Sequence, residues 1–145
     1  MIQTNIRTIA EQLVEIYYSE EMPWQKTRMH PDLCLDYYYK QIEKGAVRVF
    51  EEMGVLLGYY QLWMITNEQA NRILEGLPFD ANREDVTHGK VAFLANVWID
   101  KSFRGTRVFR ALKRMFFEQV RGCECVVGEK QKLMARVRLF KLKGE

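Results

Sequence analysis

The chain lacks any apolar run of the roughly 18 residues that a membrane-crossing helix needs, although apolar types make up 48% of its 145 residues. That content is spread over short periodic segments, so the reading is a packed core and no membrane span. The first 21 residues carry four glutamates and no small-residue cleavage site, which excludes a signal peptide on sequence grounds. Cysteine is scarce: Cys34, Cys123 and Cys125 are an odd number and have no zinc-type spacing. That argues against a disulfide framework and against a metal site, and it fits free thiols in a reducing, cytoplasmic setting. No repeat, low-complexity tract or linker interrupts the sequence, and its length suits one domain, residues 1–145.

Charge is unevenly placed. Residues 101–145 hold 13 Lys and Arg against 4 Asp and Glu, a net +9, while residues 1–100 hold 9 against 15, a net −6. A basic C-terminal third suits an anionic ligand or simply solvated helix faces. Aromatic residues interleave sparsely with the cations there, so nucleic acid is an unlikely partner on sequence grounds.

Periodicity predicts the elements. Residues 5–20 form an amphipathic helix with Ile6, Ile9, Leu13 and Ile16 inward, stopped by Pro23. A loop at 22–31 holds Trp24 and His30. A second helix at 32–44 ends at Gly45 and carries Tyr37, Tyr38 and Tyr39, which either line an acceptor pocket or pack amphipathically. Residues 46–51 and 55–66 form a hairpin about Met53 and Gly54. An Asn-capped short helix covers 67–76, and the polar segment 77–89 is the best candidate for a disordered or lid-like stretch. Residues 124–127 read as a short strand and 129–143 as a basic amphipathic helix, with Leu133, Val137, Phe140 and Leu139 inward.

The stretch 90–120 is the most informative. Residues 91–99 are almost continuously apolar, as in a strand buried on both faces. Polar residues 100–105 turn the chain. Val108, Leu112, Met115, Phe116 and Val120 then recur at helical spacing. A buried strand, a basic loop and a helix N-terminus in that order offer a phosphate unpaired N–H groups and a partial positive charge.

Ile-Asp-Lys-Ser-Phe-Arg-Gly-Thr-Arg-Val-Phe-Arg-Ala-Leu, residues 99–112, resembles the acetyl-CoA-binding segment of the GNAT superfamily of N-acetyltransferases. Ile99, Asp100, Phe103, Arg104, Gly105, Ala111 and Leu112 fit the family pattern, whereas Arg107 and Phe109 stand where its two signature glycines bring the backbone close to the pyrophosphate. Leu57-Gly58 fits the step in the family's central hairpin, and 138–144 fits a late helix end in which Phe140 replaces the tyrosine that usually protonates the CoA thiolate.

The resemblance spans about 46–144. It implies an α/β fold with a mixed, mostly antiparallel sheet of about four or five strands, helices on both faces, and truncation at the C-terminus. It also implies an acyl-CoA cofactor, acetyl-CoA, contacted by Val97, Ile99, Arg104, Gly105, Thr106, Arg107, Val108 and Phe109, together with an unidentified amine acceptor.

Amide formation from a thioester needs an unprotonated amine, a polarised carbonyl and a protonated leaving thiolate. Where the family commonly places a basic carboxylate, this chain has Ala95 and Asn96. Asn96 can hydrogen-bond, and Glu51 and Glu52 at the end of the first hairpin strand are the remaining base candidates. His30 and His88, in predicted loops, are weaker ones.

Three functions follow: a divergent acetyl-CoA-dependent N-acyltransferase; a non-catalytic protein on that fold serving in binding or assembly, as in phage accessory or virion proteins; and, ranked last, a nucleic-acid-binding domain using the basic C-terminal third. With 124–127 as an uncovered sheet edge, a homodimer is expected.

Overall fold

The computed structural model describes residues 2–19, 30–103, 106–130, 135–136 and 140–141. They fall into two compact units, residues 1–45 and 46–145.

The first unit holds two helices, α1 (Ile2–Tyr17) and α2 (Pro31–Glu43). In α1 the fully buried stripe is Ala10, Leu13 and Tyr17, with the predicted Ile6, Ile9 and Ile16 flanking it half-buried. In α2 Tyr38 is buried and meets Tyr17 edge-on at 6.2 Å, while Tyr37 and Tyr39 are half-buried. Pro31 opens α2 at a position where a missing N–H costs nothing. His30 caps it, with its Nδ1 accepting from the Asp32 N–H at 3.2 Å. The expected loop after α1, with Pro23 and Trp24, lies outside the described residues.

The second unit is a sheet between two helices. Strands β1 (Val47–Glu52), β2 (Val55–Ile65) and β3 (Val91–Ile99) pair antiparallel in that order, and β4 (Cys125–Lys130) joins β3 in parallel. The β1–β2 turn puts Met53 and Gly54 both at positive φ, 53° and 82°, the geometry that keeps a two-residue hairpin in step with strand twist. Helix α3 (Asn67–Leu74) is capped by Thr66 rather than by an asparagine. The Thr66 hydroxyl accepts from the Gln69 N–H at 3.1 Å while Gln69 Oε1 accepts from the Thr66 N–H at 2.9 Å.

Helix α4 (Arg107–Gln119) lays Val108 and Leu112 on one sheet face, against Leu57, Tyr60, Leu62 and Ala92. The other face buries Ile65, Val91, Phe93 and Val127 with Ala70 of α3 and Val86 of the loop beyond it. An α/β sheet with helices on both faces is thus what the second unit contains. Cys123 lies in the first cluster and Cys125 in the second, both as free thiols.

The segment after β4 differs from its sequence reading. No helix spans 129–143 among the described residues: β4 runs on to Lys130, and β5 (Ala135–Arg136) and β6 (Phe140–Lys141) pair with it antiparallel. Leu133, Val137 and Leu139 lie outside the described residues. Helix-favouring Lys and Arg masked a polar–apolar alternation from Arg136 onward, and an open β4 edge rewards that alternation with ladder hydrogen bonds. Because β6 pairs with Cys125 and Val126, the uncovered edge on which a homodimer was expected is occupied by the chain itself.

Residues 77–89 are also tied down rather than lid-like. Met64 donates its N–H to the Val86 carbonyl at 2.7 Å, and the Gly89 N–H reaches Met64 at 3.0 Å. Asp80 accepts from the Asn82 N–H at 2.9 Å, and Glu84 takes a two-pronged bond from the Arg72 guanidinium. Arg72 also bonds the Pro78 carbonyl at 3.1 Å, so one side chain pins two points of the loop, Pro78 and Glu84, to α3, and Glu68 of the same helix steadies it at 2.8 Å.

Two outcomes test these contacts. The Arg72 hydrogen bonds hold the Glu84 carboxyl below its ordinary value, so its stabilisation is complete above the unfolded carboxylate pKa of about 4.3 and is lost as pH falls through the folded value. Urea midpoints from pH 7 to 3 should fall more steeply for wild type than for Glu84→Gln; parallel curves would remove Glu84 from the acid response. At Gly58, an added Cβ would sit 2.9 Å from Leu112 Cδ1 and 3.2 Å from the Trp98 carbonyl oxygen. Gly58→Ala should therefore cost about 1–3 kcal/mol, and an unchanged urea midpoint would show that α4 is not seated closely there.

Candidate functional site

The site is built where β3 changes neighbours. Against β4 its pairing runs Val91↔Cys125, Ala92↔Val126, Phe93↔Val127 and Leu94↔Gly128, and goes no further. Against β2 the register slips at the next residue: Leu62 faces Leu94 and Gln61 faces Asn96, so Ala95 is the extra residue of a bulge. A bulge bends its strand and re-aims side chains. The end of parallel pairing and the bulge coincide, and from Ala95 to Ile99 β3 continues beside β2 alone among the described strands.

The bulge turns both Ala95 and Asn96 toward the face away from α4. Ala95 packs in the α3-side cluster, and Asn96 stands opposite Gln61. Both amides are buried, at 5% and 3% exposure, where a polar group left without partners costs about 1–3 kcal/mol. Asn96 Oδ1 accepts from the Val97 N–H at 3.0 Å, bracing the bent backbone. Val97 lies on the α4 side opposite Tyr60 and is 45% exposed, whereas Ile99, opposite Gly58, packs into the α4 cluster.

A tight turn carries the chain from β3 to α4. Asp100 donates its N–H to the Leu57 carbonyl at 2.9 Å, accepts from the Ser102 N–H through Oδ1 at 2.9 Å, and takes the Phe103 N–H on its carbonyl at 2.8 Å. Asp100 shapes the turn. Thr106 caps α4, its hydroxyl accepting from the Val108 N–H at 3.3 Å and donating to the Phe103 carbonyl. Arg104 and Gly105 lie outside the described residues.

Arg107, first residue of α4, meets Glu52 at the end of β1. Its Nη2 donates to Oε2 at 2.5 Å, and its guanidinium lies over the Phe50 ring at 5.6 Å. A cation at a helix N-terminus is electrostatically misplaced, and the Glu52 carboxylate offsets it. Glu52 is therefore engaged, while Glu51 is exposed beside it. Val108 is buried in the core, so it supports the helix and offers a ligand only its backbone. Phe109 points outward at 45% exposure with the Lys113 ammonium 6.0 Å from its ring.

His88 sits away from this end of β3, bonded to Asp85 at 3.0 Å near the strand's start. Burial pushes the Cys34 thiol up to about 11, away from nucleophilic use.

Sequence reasoning did not single out Tyr60. It is buried on the α4 side, donates its hydroxyl to Gln119 Oε1 at 2.6 Å, and is pushed up to about 12 by burial, with Arg48 pulling the other way. A cavity of about 250 Å³ opens beside it, lined also by Arg48, Met115 and Glu118. Only the cross-strand partnership of Arg48 with Tyr60, invisible without the register, brings that group together. Among the described residues no cluster could hold a metal ion, and no helix is long and apolar enough to cross a membrane.

No protein-family model matches the chain, and no curated protein sequence does. Solved structures do resemble it. An N-acetyltransferase from Staphylococcus aureus Mu50 superposes with a TM-score of 0.50 at 16% identity, covering 87% of this chain and 67% of its own. The loading GNATL domain of CurA from Lyngbya majuscula gives 0.53 at 16% identity, covering 88% of this chain and 61% of its own. The chain thus has a GNAT fold in a form of strongly diverged sequence.

Proposed function

We propose that this chain is an acyl-CoA-dependent N-acyltransferase acting on an amine acceptor. The observation that carries this reading is the coincidence at Ala95. Pairing of β3 with β4 ends there, the strand bends there, and the N-terminus of α4 stands just beyond its far end. An extended ligand bearing amides suits the edge of a strand that has lost its neighbour, and a diphosphate suits a helix N-terminus. Val97 and Ile99 would flank the acyl arm, and Arg104, Gly105, Thr106, Arg107 and the α4 backbone at Val108 and Phe109 would meet the phosphates.

Arg107 replaces close backbone approach with charge. Its pair with Glu52 is solvent-exposed, at 57% and 43%, and such pairs are worth about 0–1 kcal/mol. A diphosphate therefore competes for the guanidinium at low cost. Phe109 faces outward and leaves the ligand side of the turn to the backbone.

In the reaction the acceptor nitrogen attacks the thioester carbonyl carbon, the C–S bond breaks, and the proton lost from nitrogen reaches the thiolate through solvent. Asn96 is a positioning residue that fixes the bulge, and exposed Glu51 is the carboxylate available to take a proton from an ammonium acceptor. With Glu52 engaged, most of the rate comes from holding the two reactants together.

Calorimetric titration with acetyl-CoA and with CoA tests the reading. Both should bind, more weakly as salt rises. Arg104→Ala should weaken binding about 10–100-fold, and Arg107→Ala, whose charge Glu52 already offsets in part, about 3–10-fold. Absence of binding heat for both ligands at low salt, with folded protein, would overturn the proposal in favour of a non-catalytic role.

A further inference from the structure

Elsewhere in the described chain, helix cations meet carboxylates: Arg7 with Glu11 at 3.5 Å, Lys40 with Asp36 at 2.9 Å, Arg72 with Glu68 at 2.8 Å. Helix α4 departs from this rule. Arg110, Lys113, Arg114 and Arg121, the last just beyond its C-terminus, are exposed, and among the described residues none has an ion-pair partner. Glu118 is the helix's one carboxylate. The same surface carries two aromatic rings, Phe109 at 45% and Phe117 at 52% exposure.

At 3.6 residues per turn the six side chains occupy about 140° of the circumference, opposite Val108 and Leu112 in the core. The two rings stand about 12 Å apart along the axis, and the cations span about 16 Å. Rings that are sparse along the sequence are thus interleaved with cations once the chain is helical.

We infer that this face of α4 binds single-stranded nucleic acid. Three of the four cations are Arg, whose planar fork matches phosphate oxygens two at a time. Exposed rings between cations provide stacking platforms for splayed bases. A membrane surface fits less well. A helix lying in a bilayer interface inserts a continuous apolar stripe, and the apolar stripe of α4 is buried against the sheet. The inference stands apart from the CoA reading, since none of the four cations is needed for it.

A fluorescein-labelled twelve-thymidine strand, followed by fluorescence anisotropy, is the test. Wild type should bind with a Kd of about 1–100 µM at 50 mM salt and weaken roughly 50-fold at 200 mM, the response of about four phosphate contacts. Arg114→Glu should weaken binding at least about 10-fold. Phe117→Ala, at a 52% exposed position whose ring also meets Phe116 edge-on at 5.6 Å, should weaken it about 5–100-fold in protein shown to be folded by circular dichroism. Three results would each overturn the inference: no anisotropy change at 50 mM salt, unaltered affinity in Phe117→Ala, or a twelve-base-pair duplex bound as tightly as the single strand. Binding to phosphatidylserine vesicles without binding to the strand would replace it with a membrane role.

Discussion

The second unit depends on β3 satisfying two neighbours that demand different things of it. The antiparallel partner β2 follows it along its whole length but only by skipping Ala95. The parallel partner β4 leaves at Leu94. Up to that point β3 is a core strand: Val91, Ala92 and Phe93 are at most 2% exposed and serve both clusters. Beyond it the strand has one partner, a bend and a half-exposed Val97. The first half secures the sheet by burial, worth about 1.5–3 kcal/mol for each large apolar side chain. The second half gives up that density for an edge a ligand can approach.

Electrostatics divides the surface in a similar way. Glu84, Glu68 and Arg72 bind the loop after α3 to its helix, with charges spent on structure. At the start of α4 a single weak pair, Glu52 with Arg107, balances a cation against the helix dipole and is open to solvent. Farther along α4 the cations have no such balance among the described residues. The basic C-terminal third of the sequence is thus not uniform: one helix carries a cation paired with a carboxylate and, among the described residues, cations without such a pair.

Much of the fold was legible. Val91–Ile99 is β-rich and almost continuously apolar, so a strand there followed from pattern alone, and burial on both faces holds for Val91, Ala92 and Phe93 while Val97 is half-exposed. Thr106 followed by apolar residues at helical spacing placed α4. Phe109 and Arg107 could be placed on that helix, but not the fact that the ring faces outward or that the guanidinium reaches β1, since Glu52 lies 55 residues away. Asn96 could be singled out as a polar residue in an apolar strand, yet the bulge that gives it meaning is a slip of register between strands. The polar composition of 77–89 suggested mobility because its anchors, the Arg72 guanidinium and the β2 backbone, lie outside the segment and meet it only in the folded chain.

What the sequence by itself determined is the type and order of most elements up to β4, because periodicity, caps and turn residues act within a few positions of themselves. It also placed a basic turn between β3 and α4. Tertiary structure alone decided which charges pair, where β3 bends, and that 129–130, 135–136 and 140–141 are strands. The physical reason is the same in each case. A helix satisfies its hydrogen bonds locally, whereas a strand and an ion pair are completed by residues far along the chain, and their energies appear only when the partner arrives.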